Sequence, residues 1–472
     1  MFIYHQSFLF DESSPVGTFK AIKDAFSEEF VHLFESVSSD SQSASIITIG
    51  AREQIITKDD CSFYIDSNDK QRSIAKNPLL FLKDYYAKID TEKHKQISYE
   101  LGIRFLDGFV GHIAYDMMQY FEPKLYSHMN ALEDTMGIED FYFVRPKIII
   151  TFANNNSKII LTTTDEKYKP LLNSIATFLQ NTPIKHIPIQ KIQGVSEINY
   201  HLSKDEFINI VKKCKQMIRQ GDVFQILPSN RATLKSKIDK HSFYRTLRSI
   251  NPSPYMFYLD YDSYAIIGSS PETLVSLTNS VATLSPIAGT RKRGKNLEQD
   301  KFFEQEMLND EKEVAEHIML VDLGRNDLGR VSEAGSVKPT ELMSVERYSH
   351  VMHMVSSLTS RLDAKYDMFD LLMATFTAGT MTGTPKVRAM ELIAEYEKLK
   401  RGFYSGVVGY FGFDGNMDTA IAIRTACLKD DEIILQAGAG IVADSQEELE
   451  YLEVQNKLMA LIKTIESLKE NA

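Results

Sequence analysis

A helical pattern of apolar residues is clearest between Ser203 and Gly221. Ser203 is followed three residues later by Glu206, a capping box that marks a helix start, and Gly221 is typical of a helix end. The apolar positions follow helical spacing: Phe207, Ile210, Val211, Cys214, Met217 and Ile218. The pattern therefore predicts a helix with one buried face over this stretch.

Strand-like runs alternate with helical segments along the rest of the chain. Residues 1–180 combine a helical pattern over TFKAIKDAFSEEFVHLF with three β-like runs, SIITIG, PKIIITFA and SKIILTTT. A linker-like stretch covers about 181–200. From 201 to 465 a helix over 386–397 and other helices alternate with YMFYLDY, AIIGSS, TLVSLT, VVGYFGF, IAIRTA and IILQAG. Short turns such as DGN (414–416) favour antiparallel pairing. We therefore expect an α+β fold, with large antiparallel sheets enclosing helices and regions at 1–180 and 201–465.

Four glutamates form two pairs with the same three-residue step. Glu313 and Glu316 lie in one helical stretch, and Glu450 and Glu453 lie in another. Residues three apart share a helix face, so each pair stacks its carboxylates. If the two helices face each other, the four carboxylates converge, and only a cation would make that tolerable. Oxygen ligands of this kind suit Mg²⁺. Each pair alone would be typical of a solvated helix face.

Composition narrows the classes of function. The net charge of −11 argues against a nucleic-acid partner. Three cysteines without a CxxC motif suit a reducing compartment, so we expect a cytoplasmic protein. The N-terminus lacks the basic start of a signal peptide, and no apolar stretch approaches membrane-spanning length, which predicts a soluble chain without a membrane partner.

From residue 201 onward, many segments occur in the order found in one enzyme family. They include GDVFQILPS, NPSPYMFYL, IGSSPETLV, PIAGTRKRG, DEKEVAEHIMLVDLGRNDLGRV, YSHVMHMVSSL, AGTMTGTPKVRAMELI, RGFYSGVVGYFGFDGNMDTAIAIRTA and AGAGIVADS. Together they resemble the chorismate-utilising enzymes, in particular the anthranilate synthase component I group. The N-terminal region resembles that group through SSPVGTFKAI, HLFES and DGFVGHIAYDMMQYFE, with Phe109 and His112 where the family tends to have Gly and Tyr.

The resemblance implies chorismate as substrate and assigns a role to each matching residue. Hydroxide leaves carbon C4 of chorismate only if it is protonated, and the family's acid corresponds to Glu272. The glutamate pairs would hold Mg²⁺ against the ring carboxylate. His353 would assist proton removal at C2, with His350 as a rival, and Thr290 would touch the ring or its carboxylate. The remaining substrate contacts implied are Ala288, Gly289, Tyr410, Arg424, Gly438, Ala439, Gly440 and Lys457.

Two positions discriminate within the family. Isochorismate and salicylate synthases carry a lysine where this chain has Gln225, and that lysine activates water. Glutamine cannot deprotonate water, which leaves ammonia as the nucleophile. Aminodeoxychorismate synthases usually carry a lysine in place of Ala288. The resemblance thus implies that this chain acts as the large subunit of an anthranilate synthase, forming anthranilate and pyruvate for tryptophan biosynthesis. Alternatives are a 2-amino-2-deoxyisochorismate or aminodeoxychorismate synthase component, and a non-catalytic small-molecule sensor.

A source of ammonia is needed for this reaction. The three cysteines lie in DDCSF, KKCKQ and TACLK, none of which resembles the glycine-flanked elbow of a glutamine amidotransferase. We therefore expect a separate glutamine amidotransferase subunit, joined to this chain in a heterotetramer.

A feedback site is implied in the N-terminal region. HLFES resembles the LLES element that, with the PYM segment, forms the family's tryptophan pocket. Glu35 and Ser36 would hold the polar groups of tryptophan, and Pro254, Tyr255 and Met256 would line the pocket. A plain amphipathic helix end is the alternative. The basic residue that the family places after LLES is missing here, so feedback is expected to be weak or differently wired.

Overall fold

A computed structural model describes residues 2–10, 14–36, 45–153, 157–184, 187–192, 194–347 and 351–469. Helices α1 to α13 are Pro15–Ala25, Pro78–Tyr86, Thr91–Leu101, Met118–Phe121, Tyr126–Met129, Lys169–Asn181, Lys204–Gln220, Lys240–Ile250, Leu297–Asn309, Glu311–Gly329, Met368–Thr375, Lys386–Glu397 and Glu447–Leu468. Among these described helices, none combines the length and the apolar character needed to cross a membrane.

Strands β1 to β12 are Tyr4–Leu9, His32–Glu35, Ser45–Lys58, Cys61–Ile65, Gln71–Ile74, Gly108–Ile113, Phe141–Ala153, Lys158–Thr163, Asn199–Tyr200, Gln225–Ile226, Ser229–Lys235 and Tyr255–Asp260. Strands β13 to β23 are Tyr264–Ser270, Thr273–Thr278, Val281–Leu284, Ile287–Lys292, Lys338–Arg347, Val351–Arg361, Gly383–Thr384, Val407–Gly412, Met417–Ile421, Thr425–Lys429 and Glu432–Gly438. All pairings between these strands are antiparallel, as predicted.

Two large sheets share the long ribbon formed by β3 and β7. The first sheet runs β9-β11-β23-β22-β13-β12-β2 and continues into the N-terminal half of β3, the C-terminal half of β7, β8 and β1. The second runs β5-β4 into the other halves of β3 and β7, then β6-β20-β21-β14-β15-β18, where β16 and β17 also pair with β18. A bulge between Ala51 and Glu53 divides the ribbon between the two sheets.

The core has two main layers. Alternate side chains of both sheets, such as Phe257 and Ile266 from the first and Phe143 and Phe411 from the second, meet in one buried cluster. The opposite face of the first sheet is covered by helices, including α1, α6, α7, α8 and α13, which form a second cluster. The structure therefore has the α+β fold expected from the sequence.

Local sequence signals placed most elements correctly. The capping box at Ser203 and the left-handed Gly221 bound α7, and α12 covers the predicted 386–397. The predicted helix over 18–34 is wrong in its second half, because α1 ends at Ala25 and HLFE forms β2 between β12 and β3. The predicted strand IAIRTA is interrupted between β21 and β22, where Arg424 adopts a positive φ of 51°.

The regions predicted at 1–180 and 201–465 are joined through the sheets. Strand β2 from the first region pairs with β12 from the second, and β6 pairs with β20. The boundary between the regions stays a prediction about function, since hydrogen-bonded strands cross it twice.

Candidate active site

One cavity of about 980 Å³ brings together most of the residues predicted for catalysis, substrate and metal. Its walls include α10, α13, β16, β18, β23 and the turn between β13 and β14. The predicted residues that line it are Gln225, Glu272, Ala288, Gly289, Thr290, Glu313, Glu316, His353, Arg424, Gly438, Gly440, Glu450, Glu453 and Lys457. The volume lies at the upper end of the range for small-molecule sites. We call this space the substrate cavity.

Glu272 has the surroundings of a protonated acid. It lies in the turn between β13 and β14, where its backbone N–H donates to Ser270 Oγ and its carbonyl accepts from Ile421 N–H. Its side chain is 7% exposed. Burial raises the pKa of Glu272 to about 7, although a hydrogen bond from Thr380 Oγ1 at 2.8 Å and the charges of Lys457 and Arg424 act against the rise. The carboxyl group is therefore able to carry a proton near neutral pH.

The four paired glutamates all face the substrate cavity from two helices. Glu313 and Glu316 come from α10, and Glu450 and Glu453 come from α13. Burial, followed by the charges of Glu313 and Glu453, raises the pKa of Glu316. Burial also raises the pKa of Glu450, and Glu453 adds to the effect. Negative charge is thus concentrated here at an electrostatic cost.

Two basic side chains bind one member of each glutamate pair. Lys457 Nζ lies 2.7 Å from Glu453 Oε1 and donates to the carbonyl of Gly438 at 3.0 Å. Arg291 Nη1 donates to Glu313 Oε1 at 2.8 Å. The partners Glu316 and Glu450 have no such ion pair within the described ranges.

The chemistry of this set fits a hard divalent cation, since every donor is a carboxylate oxygen and neither Glu316 nor Glu450 has an ion pair among the described residues. In the part of the chain that the structure describes, however, no three acidic, histidine or cysteine side chains converge closely enough to hold a metal ion. A cation held by three or more of these carboxylates would therefore require the side chains to move closer together.

Gln225 is fixed at the edge of the glutamate group. Its side-chain Nε2 donates to Glu316 Oε1 at 3.1 Å, whereas its Oε1 is buried without a hydrogen-bond partner among the described residues. Gly440 permits this arrangement, because a Cβ atom there would lie 2.7 Å from Gln225 Nε2. An unpaired buried carbonyl oxygen in a cavity can accept an N–H donor.

A β-bulge shapes the wall beside Ala288. Strand β16 changes register against β18 between Ala288 and Thr290, and the intervening Gly289 has a φ of +74°. Thr290 Oγ1 lies 2.9 Å from His353 Nδ1. Burial lowers the pKa of His353 to about 4, and Arg424 lowers it further, so the ring is neutral at pH 7 and can accept a proton. The rival His350 lies outside the described residues.

Arg424 lies in the cavity wall at the break between β21 and β22. Its guanidinium makes no hydrogen bond or ion pair within the described part of the chain, and burial lowers its pKa while Tyr404, Glu453 and Glu272 raise it. The guanidinium remains charged at any physiological pH, because arginine starts from a very high value. An uncompensated arginine in a cavity suits an anionic ligand.

Two predicted substrate contacts lie elsewhere. Ala439 is fully buried in the core beneath β23, and Tyr410 is not among the described residues that line the substrate cavity. Burial, followed by the charge of Asp418, raises the pKa of Tyr410. The Tyr255 hydroxyl donates a hydrogen bond to the same residue, at Asp418 Oδ1, over 3.0 Å. Tyr410 therefore belongs beside Tyr255. Tyr404 is the tyrosine that lines the cavity.

Sequence reasoning missed several polar residues of the cavity wall, namely Thr380, Tyr404, Lys312 and Lys463. Thr380 lies inside the AGTMTG segment that carried the family resemblance, and a hydroxyl close to the acid could have been suspected from it. The two lysines come from α10 and α13, one residue before Glu313 and ten after Glu453.

The residues predicted for tryptophan lie together on neighbouring strands. Met256 on β12 pairs directly with Glu35 on β2, and Pro254 and Tyr255 precede it. The Glu35 carboxylate is 4% exposed and accepts from Tyr244 Oη at 2.5 Å and from Arg248 Nε at 2.9 Å. Ser36 follows Glu35 directly at the end of β2. The structure brings this set together, with the Glu35 charge already paired.

Comparison with known proteins identifies the family of the chain. Residues 36–463 match the family described as chorismate binding enzymes. The chain is 40% identical to anthranilate synthase component 1 of Aquifex aeolicus, with 98% of this chain and 94% of the relative covered. It is 39% identical to the protein of the same name from Acetivibrio thermocellus, with the same coverage.

Solved structures give the same result. Anthranilate synthase component I from Streptococcus pneumoniae TIGR4 has a TM-score of 0.75 and 34% identity, covering 90% of this chain and 93% of that chain. The menaquinone-specific isochorismate synthase from Escherichia coli has a TM-score of 0.73 at 17% identity, covering 98% and 94%, and shows the shared fold alone. The chain therefore belongs to the family of chorismate binding enzymes. The relatives to which it is 38–41% identical carry the name anthranilate synthase component 1.

Proposed function

We propose that this chain is the large subunit of an anthranilate synthase, which converts chorismate and ammonia into anthranilate and pyruvate in tryptophan biosynthesis. The observation that carries the proposal is the pair of Glu272 and Gln225 on the wall of one cavity. Glu272 supplies a proton near neutral pH, and Gln225 presents a hydrogen-bond acceptor instead of a base for water. Ala288 adds support, because it leaves no lysine to attack C2.

The residues of the cavity divide the reaction between them. Glu272 protonates the C4 oxygen, so that water leaves as ammonia attacks C2. His353, neutral and hydrogen-bonded to Thr290, accepts the C2 proton when pyruvate is eliminated. Arg424 binds a substrate carboxylate through its unpaired guanidinium. The backbone beside Gly438 and Gly440, together with Lys457, completes the anion contacts.

Mg²⁺ is proposed as the cofactor, held by Glu313, Glu316, Glu450 and Glu453. When bound, it supplies positive charge that neutralises the ring carboxylate of chorismate. The support from this chain is that α10 and α13 bring four carboxylates to the wall of one cavity, where burial and neighbouring carboxylates raise the pKa of Glu316 and Glu450.

A glutamine amidotransferase subunit is proposed as the ammonia source, in a heterotetramer with this chain. Tryptophan is proposed as a feedback inhibitor that binds at Glu35, Ser36, Pro254, Tyr255 and Met256.

A cytoplasmic location is also proposed. The three cysteines are free, which suits that location, and Cys214 and Cys427 are buried. Burial raises the pKa of the Cys427 thiol to about 12, so it is not a reactive thiolate.

The isolated chain tests the proposal directly. With chorismate, Mg²⁺ and ammonium it should produce anthranilate, seen by fluorescence, and an equal amount of pyruvate. With glutamine in place of ammonium it should produce neither. Isochorismate, salicylate or a released aminated intermediate without pyruvate would identify one of the rival enzymes. Turnover with glutamine alone would contradict the separate ammonia-producing subunit.

A further inference from the structure

A second, much smaller cavity lies behind Glu272. It has a volume of about 20 Å³, and Glu272, Thr380 and Leu320 line both this space and the substrate cavity. A water molecule needs roughly 10–15 Å³ and two to four polar partners. Glu272, Ser285, Thr380 and Asp327 are polar residues of its wall, so the space suits one water molecule. We call this space the rear cavity.

Asp327, in the wall of the rear cavity, forms an ion pair with Lys386. Lys386 Nζ donates to Asp327 Oδ2 at 2.6 Å and to the Thr375 carbonyl at 3.4 Å. The side chains of Asp327 and Lys386 are 7% and 10% exposed. Burial raises the pKa of Asp327, and the charges of Lys386 and Arg330 oppose the rise. Asp327 lines the same small cavity as Glu272 and receives a hydrogen bond from the Lys386 ammonium, so its carboxylate is placed to relay a proton across that cavity.

General acid catalysis creates a need for such a group. After Glu272 has given its proton to the C4 oxygen, it is an ionised carboxylate inside a cavity still filled by products. It must regain a proton before the next chorismate can react. Thr380 cannot supply one, because a hydroxyl that donates a hydrogen bond to Glu272 is far too weak an acid to give up its proton.

We propose that one water molecule in the rear cavity connects Asp327 to Glu272 and returns the proton that Glu272 spends in each turnover. The water passes a proton to Glu272 and takes one from the Asp327–Lys386 pair, which recovers it from solvent. The proton lost when ammonia becomes bonded to carbon is released to solvent, so the cycle is balanced. Asp327 acts through the water and never touches substrate, and this inference rests on the proposed function.

The test compares the first turnover with later ones in Asp327→Asn. The first turnover uses the proton already on Glu272, so its rate in rapid mixing with chorismate, Mg²⁺ and ammonium should be unchanged. Steady-state turnover should fall on the order of tenfold, since proton return becomes limiting. The variant should therefore show a burst of one anthranilate per active site. Equal slowing of both phases would assign Asp327 a structural role, and no slowing of either would exclude the path.

A second variant protects the test against misfolding, because Asn leaves Lys386 without its counter-charge. Ala378→Val fills part of the rear cavity and keeps the ion pair, and it should give the same burst. Ala394→Val adds the same volume to the buried face of α12, outside the rear cavity, and should give no burst. If Ala378→Val behaves like Ala394→Val, the water path is wrong. If the unmodified chain makes no anthranilate in either phase, the proposed function itself fails.

Discussion

The substrate cavity and the strand β2 region hold buried glutamates in opposite electrostatic states. In the cavity, burial and neighbouring carboxylates raise the pKa of Glu316 and Glu450. At β2, the Glu35 carboxylate accepts a hydrogen bond from the Tyr244 hydroxyl and forms an ion pair with Arg248. Glu316 and Glu450 thus have no ion pair among the described residues, whereas Glu35 has one.

This difference separates the proposed metal site, where two glutamates have no ion pair, from the proposed tryptophan site, where Glu35 already has one. A buried carboxylate without a counter-charge destabilises the fold, and binding a metal removes the penalty. A ligand ammonium at Glu35 gains less, because Arg248 already provides the charge. We therefore expect strong dependence on ligand at the cavity and modest dependence at β2.

The largest expected effect is that of Glu272→Gln. The amide keeps the shape but cannot give a proton to the C4 oxygen, so turnover should fall by about 10²–10⁴-fold. Chorismate binding, measured by calorimetry, should change much less. Near-normal turnover would move the acid to another group, and loss of binding would show that Glu272 mainly holds the substrate.

Metal dependence should separate cavity glutamates from others on the same helix. Glu316→Gln and Glu453→Gln should abolish activity or raise the Mg²⁺ concentration needed for half-maximal rate, by about 10–100-fold if the loss resembles that of a supporting ligand. Glu448→Gln is the matched control, since Glu448 lies on α13 outside the cavity and pairs with Lys204 at 2.7 Å. Unchanged Mg²⁺ dependence in both cavity variants would place the pairs outside the metal site.

The pH profile should show the acid directly. The pKa of Glu272 is raised to about 7, and catalysis requires its protonated form. If Glu272 alone limits the rate, turnover should be highest below pH 7. Above pH 7 it should fall about tenfold for each further pH unit. The alkaline fall in kcat/KM, which reports groups of the free enzyme, should disappear from the residual activity of Glu272→Gln. A profile that keeps this fall in the variant would assign it to a different group.

Stability should respond in opposite directions at the two regions. Tyr244→Phe removes a hydrogen bond to a buried carboxylate and should lower the free energy of unfolding by about 1.5–3 kcal/mol. Glu316→Gln removes charge from a crowded group and should raise that free energy when no metal is present. Urea denaturation in chelator measures both. A loss of stability in Glu316→Gln would mean that its hydrogen bond with Gln225 outweighs the repulsion.

The smallest expected effect concerns tryptophan. Calorimetric titration should show binding that chorismate weakens, by a factor typical of allosteric coupling, roughly 5–150-fold. Ser36→Leu should relieve inhibition and leave uninhibited turnover unchanged, since Ser36 is not among the described residues that line the substrate cavity. Ser236→Ala is a suitable control, because Ser236 is a buried serine outside both the proposed tryptophan site and the lining of the substrate cavity. Absence of heat at millimolar tryptophan, or equal affinity with and without chorismate, would contradict the feedback proposal.

Signals carried within a few residues were sufficient for many elements. The capping box gave α7, and the two glutamate steps placed their carboxylates on one side of α10 and α13. The helix predicted for HLF is wrong because these residues pair with β12 and β3 as a strand. A helical spacing of apolar residues does not reveal such pairing, least of all with β12, which is distant in sequence.

The arrangement of the site depended on information that spacing does not contain. The resemblance correctly predicted that Glu272, Gln225 and Arg424 share one cavity. It did not predict which of two tyrosines faces that cavity. Tyr410 sits on β20 beside Asp418, and Tyr404 precedes the strand and faces the cavity. The rear cavity, with Thr380 in its wall, forms where four separate segments meet, and only the three-dimensional structure reveals it.

The ribbon of β3 and β7 bears on how the chain acquires its structure. Strand β2 lies between β12 and β3, and β6 lies between β20 and β7, so neither region closes its own sheet edges. A fragment covering 201–465 would expose two long unpaired strand edges, which favours aggregation over folding. Pairings between such distant segments also slow folding, since long loops must close first. The two regions should therefore fold slowly and as one unit. Fragments of the two regions that are produced separately should become active only when they fold together.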